Sequence, residues 1–305
     1  ASVTSTLQGV QELSNKTKKL DTRVIANRRD IYNLQDNFVT LQSDVFGISN
    51  EFDAHKADFR EYKQIYIPGY IKGNKMKYIG HRGVAMIAPE NTIPSFEKAG
   101  ELGFWATEAD CIVTKDGEWV IFHDTTVDRM TNGTGNIQDM TLSQVKGLTI
   151  DAGANIELYP NLKIPTLEEF LDVCLKWNLV PIVETKGTAN ASNLQSLIDL
   201  IKAKGLINKV IISSLSLSHL TEIRNIDKNV FVEYAVYNFN SSVIDTLKAL
   251  GNAMLSLPYA SINQSIMYQC FANNILVSAW TVNDYNIAKS LEKLGVAQIY
   301  SDILC

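Results

Sequence analysis

The sequence predicts an α/β protein: a closed eight-stranded parallel β/α barrel of TIM type, preceded by an N-terminal α-helical coiled coil. Three observations carry that reading. A heptad of apolar residues runs through residues 1–62, a stretch rich in Pro and Gly follows at 63–76, and residues 77–305 alternate apolar strand-like runs with amphipathic helical ones.

The heptad has two seams. One is Val3, Val10, Thr17, Val24, Ile31, Phe38, Val45, Phe52 and Phe59; the other is Thr6, Leu13, Leu20, Asn27, Leu34, Leu41, Ile48 and His55. A helix apolar only along this narrow stripe needs partner helices to bury it. At 1.5 Å per residue the stripe spans about 85 Å, too long for a single barrel to cover, so pairing between chains is expected. Thr17 and Asn27 are polar seam residues that fix register at some cost in stability. Val with Leu suits a dimer, whereas Phe38, Phe52 and Phe59 suit a wider core, so a homotrimer is expected and a dimer is the alternative. Pro68, Gly69 and Gly73 then end the helix and turn the chain.

Eight strands follow: Tyr78–Gly80, Trp105–Val113, Val180–Glu184, Val210–Ser214, Val230–Tyr234, Ala253–Leu257, Leu276–Trp280 and Gln298–Ser301. Helical periodicity fills the intervals, as at Thr166–Trp177, Asn193–Lys204 and Asn283–Leu294. Lys115-Asp116-Gly117 is a turn signal, so Trp119–Phe122 is read as a hairpin arm after the second strand. A doubly wound open sheet is the competing architecture, but it would ordinarily carry a glycine-rich first turn, and none is present.

Composition narrows the function. A net charge of −5 argues against nucleic acid as the main partner. No run of 18 apolar residues exists to span a membrane. Cys111, Cys174, Cys270 and Cys305 are scattered without a C-x-x-C pair, which suggests neither a zinc site nor a disulfide framework and fits folding in a reducing cytoplasm.

In a barrel of this kind chemistry gathers at the C-terminal ends of the strands. His81 and Arg82 follow the first strand, Glu108 and Asp110 share one face of the second, and His123 follows the hairpin arm. Glu184 ends the third strand with Lys186 two residues on, and Trp280 ends the seventh. Three carboxylates suit a hard divalent cation, Ca²⁺ first and Mg²⁺ as the alternative. Arg82 and Lys186 suit an anionic phosphate, and two histidines suit general acid and general base. Together they read as metal-assisted cleavage of a phosphate ester. The ordinary alternatives are salt-bridged structural acids for Glu108 and Asp110, a structural role for His81, and a core role for Trp280. His55 and His219 are read as structural or solvated.

Ten short motifs then occur in order: HRG (His81–Gly83), PENT (Pro89–Thr92), TEAD (Thr107–Asp110), TKDG (Thr114–Gly117), FHD (Phe122–Asp124), RMTNGTG (Arg129–Gly135), IPTLEE (Ile164–Glu169), VETKG (Val183–Gly187), AWTVN (Ala279–Asn283) and YSD (Tyr300–Asp302). Over residues 77–305 the chain resembles the glycerophosphodiester phosphodiesterase family. The resemblance implies a small insertion after the second strand, at about Thr125 to Asn161. It implies cation binding by Glu108, Asp110 and Glu184, acid–base work by His81 and His123, and phosphate contacts from Arg82 and Lys186. Trp280 is carried as a substrate contact, and Glu90 as a residue orienting His81 or Arg82. Thr92 is expected to cap the helix that Pro94 begins.

A stalk ahead of such a barrel resembles phage tail fibres and tailspikes. The expectation is therefore a virion tail protein, made in the bacterial cytoplasm, that cleaves glycerol-phosphate teichoic acid on the host surface beside other tail proteins. A cellular enzyme for small deacylated phospholipids is the main alternative, and a fibre that binds teichoic acid without turnover is the third.

Overall fold

A computed structural model describes residues 75–305. The expected coiled coil of residues 1–62 and most of the 63–76 linker lie outside the described residues.

The chain runs β1 (Lys77–Gly80), α1 (Ile93–Glu101), β2 (Ala106–Val113), β3 (Trp119–Ile121), α2 (Leu142–Gly147), α3 (Leu167–Trp177), β4 (Val180–Thr185), α4 (Ala191–Ala203), β5 (Ile211–Ser214) and α5 (Leu217–Ile226). It continues with β6 (Phe231–Ala235), α6 (Ser242–Leu250), β7 (Ala253–Pro258), α7 (Gln264–Ala272), β8 (Val277–Trp280), α8 (Tyr285–Leu294) and β9 (Gln298–Ser301). Parallel neighbours follow one another from β2 through β4 to β9, and β1 pairs with both β9 and β2, which closes the barrel. β3 is the antiparallel arm, with Cys111 opposite Ile121 and Val113 opposite Trp119. The eight expected barrel strands are present with ends shifted by a residue or so.

Period-two alternation sorts the strand residues. Ile79, Ala106, Val180, Ile182, Ile211, Phe231 and Met254 fill the lower barrel interior. Ala109, Cys111, Val183, Ile212 and Val232 face outward onto α3, α4 and α5. Cys111, Cys174 and Cys270 are buried free thiols. Between the apolar floor and the barrel mouth lies a polar layer, where buried Glu233 accepts hydrogen bonds from Ser278 Oγ and Tyr300 Oη.

Thr92 is the N-cap of α1, as expected, in a capping box with Ser95, and Asn91 before it stands in the left-handed region at φ 55°. The insertion has its own small core of Val127, Met130, Ile137, Val145 and Ile150, closed against Ile112, Val120 and Phe122.

Candidate active site

β1 ends in a tight turn with two left-handed residues. Arg82 and Gly83 both have positive φ, 53° and 84°. A Cβ on Gly83 would lie 2.3 Å from Ser95 Oγ and 2.6 Å from the Ser95 carbonyl carbon, so glycine is required there. Arg82 is held in its left-handed conformation from three sides. Its N–H donates to Glu108 Oε2 at 2.8 Å, and its carbonyl accepts from Asn91 N at 2.9 Å and Ser95 Oγ at 3.0 Å. A non-glycine residue in this region is strained, and such strain gathers at functional sites.

The turn delivers His81 and Arg82 to one cleft. Arg82, Glu108, Asp110, His123, Glu184, Lys186 and Trp280 line it with His81, and Ser213, Leu215, Ala235, Tyr237, Ser256 and Tyr300 complete the wall. Glu90 is the expected site residue that does not line the cleft; it stands behind, donated to by Arg82 Nη1 at 3.0 Å. Of the two residues Glu90 was expected to orient, His81 or Arg82, it bonds Arg82. His81 Nδ1 lies 2.8 Å from Asp302 Oδ1 instead. That aspartate, in the YSD motif, was not singled out from sequence.

His123 has the matching arrangement, its Nδ1 2.6 Å from Asp124 Oδ1. Asp124 in turn accepts from Arg129 Nε at 2.6 Å, and Arg129 Nη2 donates to Glu90 Oε1 at 2.6 Å. A chain of charged hydrogen bonds thus runs from His123 through Asp124, Arg129 and Glu90 to Arg82. Arg129 comes from the insertion, which gives that segment a place in the site. The Arg129 hydrogen bond, followed by that of His123, holds the Asp124 carboxyl down at about 2.

Asp110 and Glu184 stand opposite each other in register on β2 and β4. One ligand oxygen from each of Glu108, Asp110 and Glu184 lies within 4.8 Å of the others. Burial and repulsion from Asp110 and Glu184 push the Glu108 carboxyl well above its usual range. Burial and Asp110 also push Glu184 up. Asp110 goes the other way: burial raises it, but Lys186, Arg82, His123 and the Asn91 amide outweigh burial. Asn91 clamps Asp110 twice, donating from Nδ2 to Oδ2 at 2.8 Å and accepting from the Asp110 N–H at 3.2 Å. Lys186 Nζ lies 3.1 Å from Asp110 and 3.2 Å from Glu184.

These residues fit a hard divalent cation. Three converging carboxylates are an oxygen donor set, and Glu108 Oε1 is buried without a hydrogen-bond partner. No imidazole belongs to the cluster, which disfavours zinc.

Trp280 lines the cleft edge-on to Tyr237, ring centroids 5.6 Å apart, with its Nε1–H buried and unpartnered. Tyr234 in β6 and Tyr259 just after β7 pack against the hydrophobic clusters and do not line the cleft. His219 is buried with Nδ1 3.2 Å from Thr185 Oγ1, a structural placement.

Known proteins match this chain along the barrel. The model of the Glycerophosphoryl diester phosphodiesterase family matches residues 81–304. A glycerophosphodiester phosphodiesterase of Caldanaerobacter subterraneus subsp. tengcongensis is 32% identical over 234 residues, covering 75% of this chain and 94% of its own. Among solved structures, an Oleispira antarctica phosphodiesterase in complex with the product sn-glycerol-3-phosphate superposes with a TM-score of 0.70 at 28% identity, covering 75% of this chain and 94% of that one. The Thermotoga maritima glycerophosphodiester phosphodiesterase, at 23% identity and a TM-score of 0.61 over 75% of this chain and 95% of that one, shares the fold. With the match reaching from His81 to the penultimate residue, the chain belongs to the glycerophosphoryl diester phosphodiesterase family.

Proposed function

We propose that this phosphodiesterase cleaves the glycerol-phosphate diester bonds of wall teichoic acid, as an oligomeric tail protein of a phage acting at the host surface. The observation that carries the chemistry is the pair of histidines, each backed by an aspartate, opening on one cleft with three carboxylates and two basic groups. The polymer and phage reading draws support from the heptad of residues 1–62, which a housekeeping enzyme for small diesters does not need.

Arg82 and Lys186 draw the phosphate into the cleft by charge and hydrogen bonds. One imidazole takes the proton of the glycerol 2-hydroxyl, and that oxygen bonds to phosphorus. The bond from phosphorus to the leaving oxygen breaks, and the second imidazolium gives that oxygen its proton. A cyclic phosphate results. Water then attacks phosphorus, losing a proton to the second histidine, while the ring oxygen departs with the proton held by the first. Asp302 and Asp124 fix the two rings and stabilise each imidazolium as it forms. Glu108, Asp110 and Glu184 would hold a divalent cation, Ca²⁺ first, which when bound neutralises phosphate charge at the reacting centre.

The test is turnover of purified glycerol-phosphate teichoic acid and of glycerophosphocholine, with Ca²⁺ and with excess EDTA. His81→Ala and His123→Ala should each lower turnover about 10²–10⁴-fold with unchanged circular dichroism. Full activity in either variant, or in EDTA, sinks the site; activity on glycerophosphocholine alone returns the chain to small diesters.

A further inference from the structure

Glu233 is a buried carboxylate to which the reaction above gives no part. It sits on β6 in the polar layer under the catalytic cleft, and no basic side chain offsets its charge among the described residues. Burying an unpaired carboxylate costs stability, so what surrounds it is informative. Its neighbours are hydroxyls. Ser278 Oγ donates to Glu233 Oε1, and Tyr300 Oη donates to Oε2. Ser256 stands opposite Ser278 in register on β7 and β8, and their Oγ atoms are 2.8 Å apart. Burial raises the Glu233 pKa, and hydrogen bonds from Ser278, Tyr300 and Ser256 work against that rise.

This arrangement fixes where the hydroxyl protons point. A carboxylate only accepts, and each hydroxyl has one proton to give. Tyr300 gives its proton to Glu233. Ser278 Oγ has three acceptors in reach, Glu233 Oε1, the Leu255 carbonyl and Ser256 Oγ, and the charged one holds its proton most strongly. The contact between the two serines therefore takes its proton from Ser256. Ser256 and Tyr300 line the catalytic cleft, whereas Glu233 and Ser278 lie behind them. Both lining hydroxyls thus have their protons turned away from the cleft and only lone pairs left for it. Such a floor takes a hydrogen-bond donor and rejects a group that can only accept.

We propose that Glu233 is a positioning residue that makes the cleft floor a pure acceptor, and that Ser256 and Tyr300 there accept the terminal hydroxyl of the glycerol whose 2-hydroxyl attacks phosphorus. The 2-hydroxyl gives its proton to a histidine, so the terminal hydroxyl is the donor that the glycerol group has left. Ser256 and Tyr300 touch the substrate; Glu233 acts through them. The inference rests on the glycerol diester reading of the cleft and is independent of the polymer and the stalk.

The test is a ratio: kcat/KM of the full chain, with Ca²⁺, on glycerophosphocholine over that on its analogue with fluorine in place of the terminal hydroxyl. The analogue keeps the 2-hydroxyl, is close in size, and cannot donate at the replaced position. Both rates come from one preparation, so the folded fraction cancels. The inductive effect of fluorine is common to all variants and cancels between them. Wild type should favour the hydroxyl substrate by about tenfold or more. Glu233→Gln sets an amide N–H against the hydroxyls, turns one of them over so that its proton faces the cleft, and should bring the ratio within about threefold of unity. Ser256→Ala removes one of the two acceptors and should narrow the ratio by about threefold or more, which decides the matter where Glu233→Gln fails to fold. A wild-type ratio near unity overturns the inference. So does a folded variant that keeps the wild-type ratio, even at lower rates on both substrates, because the altered residue then serves only the fold. A wild type inactive on both diesters overturns the glycerol diester reading of the cleft itself, and the inference falls with it.

Discussion

Glu108 concentrates the electrostatic cost of the site. Its side chain is 1% exposed, one oxygen has no partner, and burial with two neighbouring carboxylates pushes its pKa up. Such a group favours cation binding and opposes folding in the absence of a cation. Glu108→Gln keeps an amide oxygen to accept the Arg82 N–H and removes the repulsion. In EDTA the variant should be more stable than wild type by about 0.5–2 kcal/mol, a rise of a few degrees in Tm for a domain of this size, while turnover falls below detection. Added Ca²⁺ should raise the wild-type Tm and leave the variant nearly unmoved. A variant that melts lower than wild type in EDTA would show that the carboxylate is structural. The sequence made Glu108, Asp110, Glu184, His81 and His123 legible because each sits in a short motif on a strand or just after one. It did not reveal their partners. Asp302 meets His81 across 221 positions, and Asn91 meets Asp110 across 19, so neither pairing leaves a spacing signal.

At the scale of elements, strand positions were readable because apolar runs of four to eight residues stand between turn residues and amphipathic helices. The start of α1 was readable from Thr92 and Pro94; the left-handed residue Asn91 before it was not, because an asparagine there suits a helix start equally well. The insertion was legible as an interval and not as a participant, since nothing local says that Arg129 crosses to Glu90. Arg129→Ala should loosen it. The Asp124 carboxyl is depressed from 3.8 to about 2, chiefly by Arg129, so the folded state binds fewer protons than the unfolded one between those values. The contribution is fully present above the unfolded value and is lost as pH falls through about 2. Exposure of Arg129 and solvent screening limit it to about 1 kcal/mol or less. The stability gap between wild type and variant, read from urea midpoints, should be flat above about pH 5 and narrow toward pH 3. A gap that stays constant on acidification would mean that Arg129 acts through packing alone.

For the whole molecule, the heptad and the barrel make separable demands. The barrel closes its own core, and among the described residues its site is built from side chains of 81–302. Catalysis on a small diester therefore needs no second copy. A repetitive wall polymer is different, because linked sites hold a surface together by effective concentration and can exceed single-site affinity by about 10²–10⁴. Seams with Phe38, Phe52 and Phe59 suit three strands. The full chain should run by light scattering at three times its 34.0 kDa mass, and a chain of residues 77–305 should run as a monomer. The two should match in kcat/KM on glycerophosphocholine within about twofold, because the cleft is the same. On teichoic-acid-bearing cell walls the shorter chain should lose about 10²-fold or more in retention. Equal retention by both chains would separate the stalk from wall binding, and a full chain running at 34.0 kDa would remove the oligomer altogether.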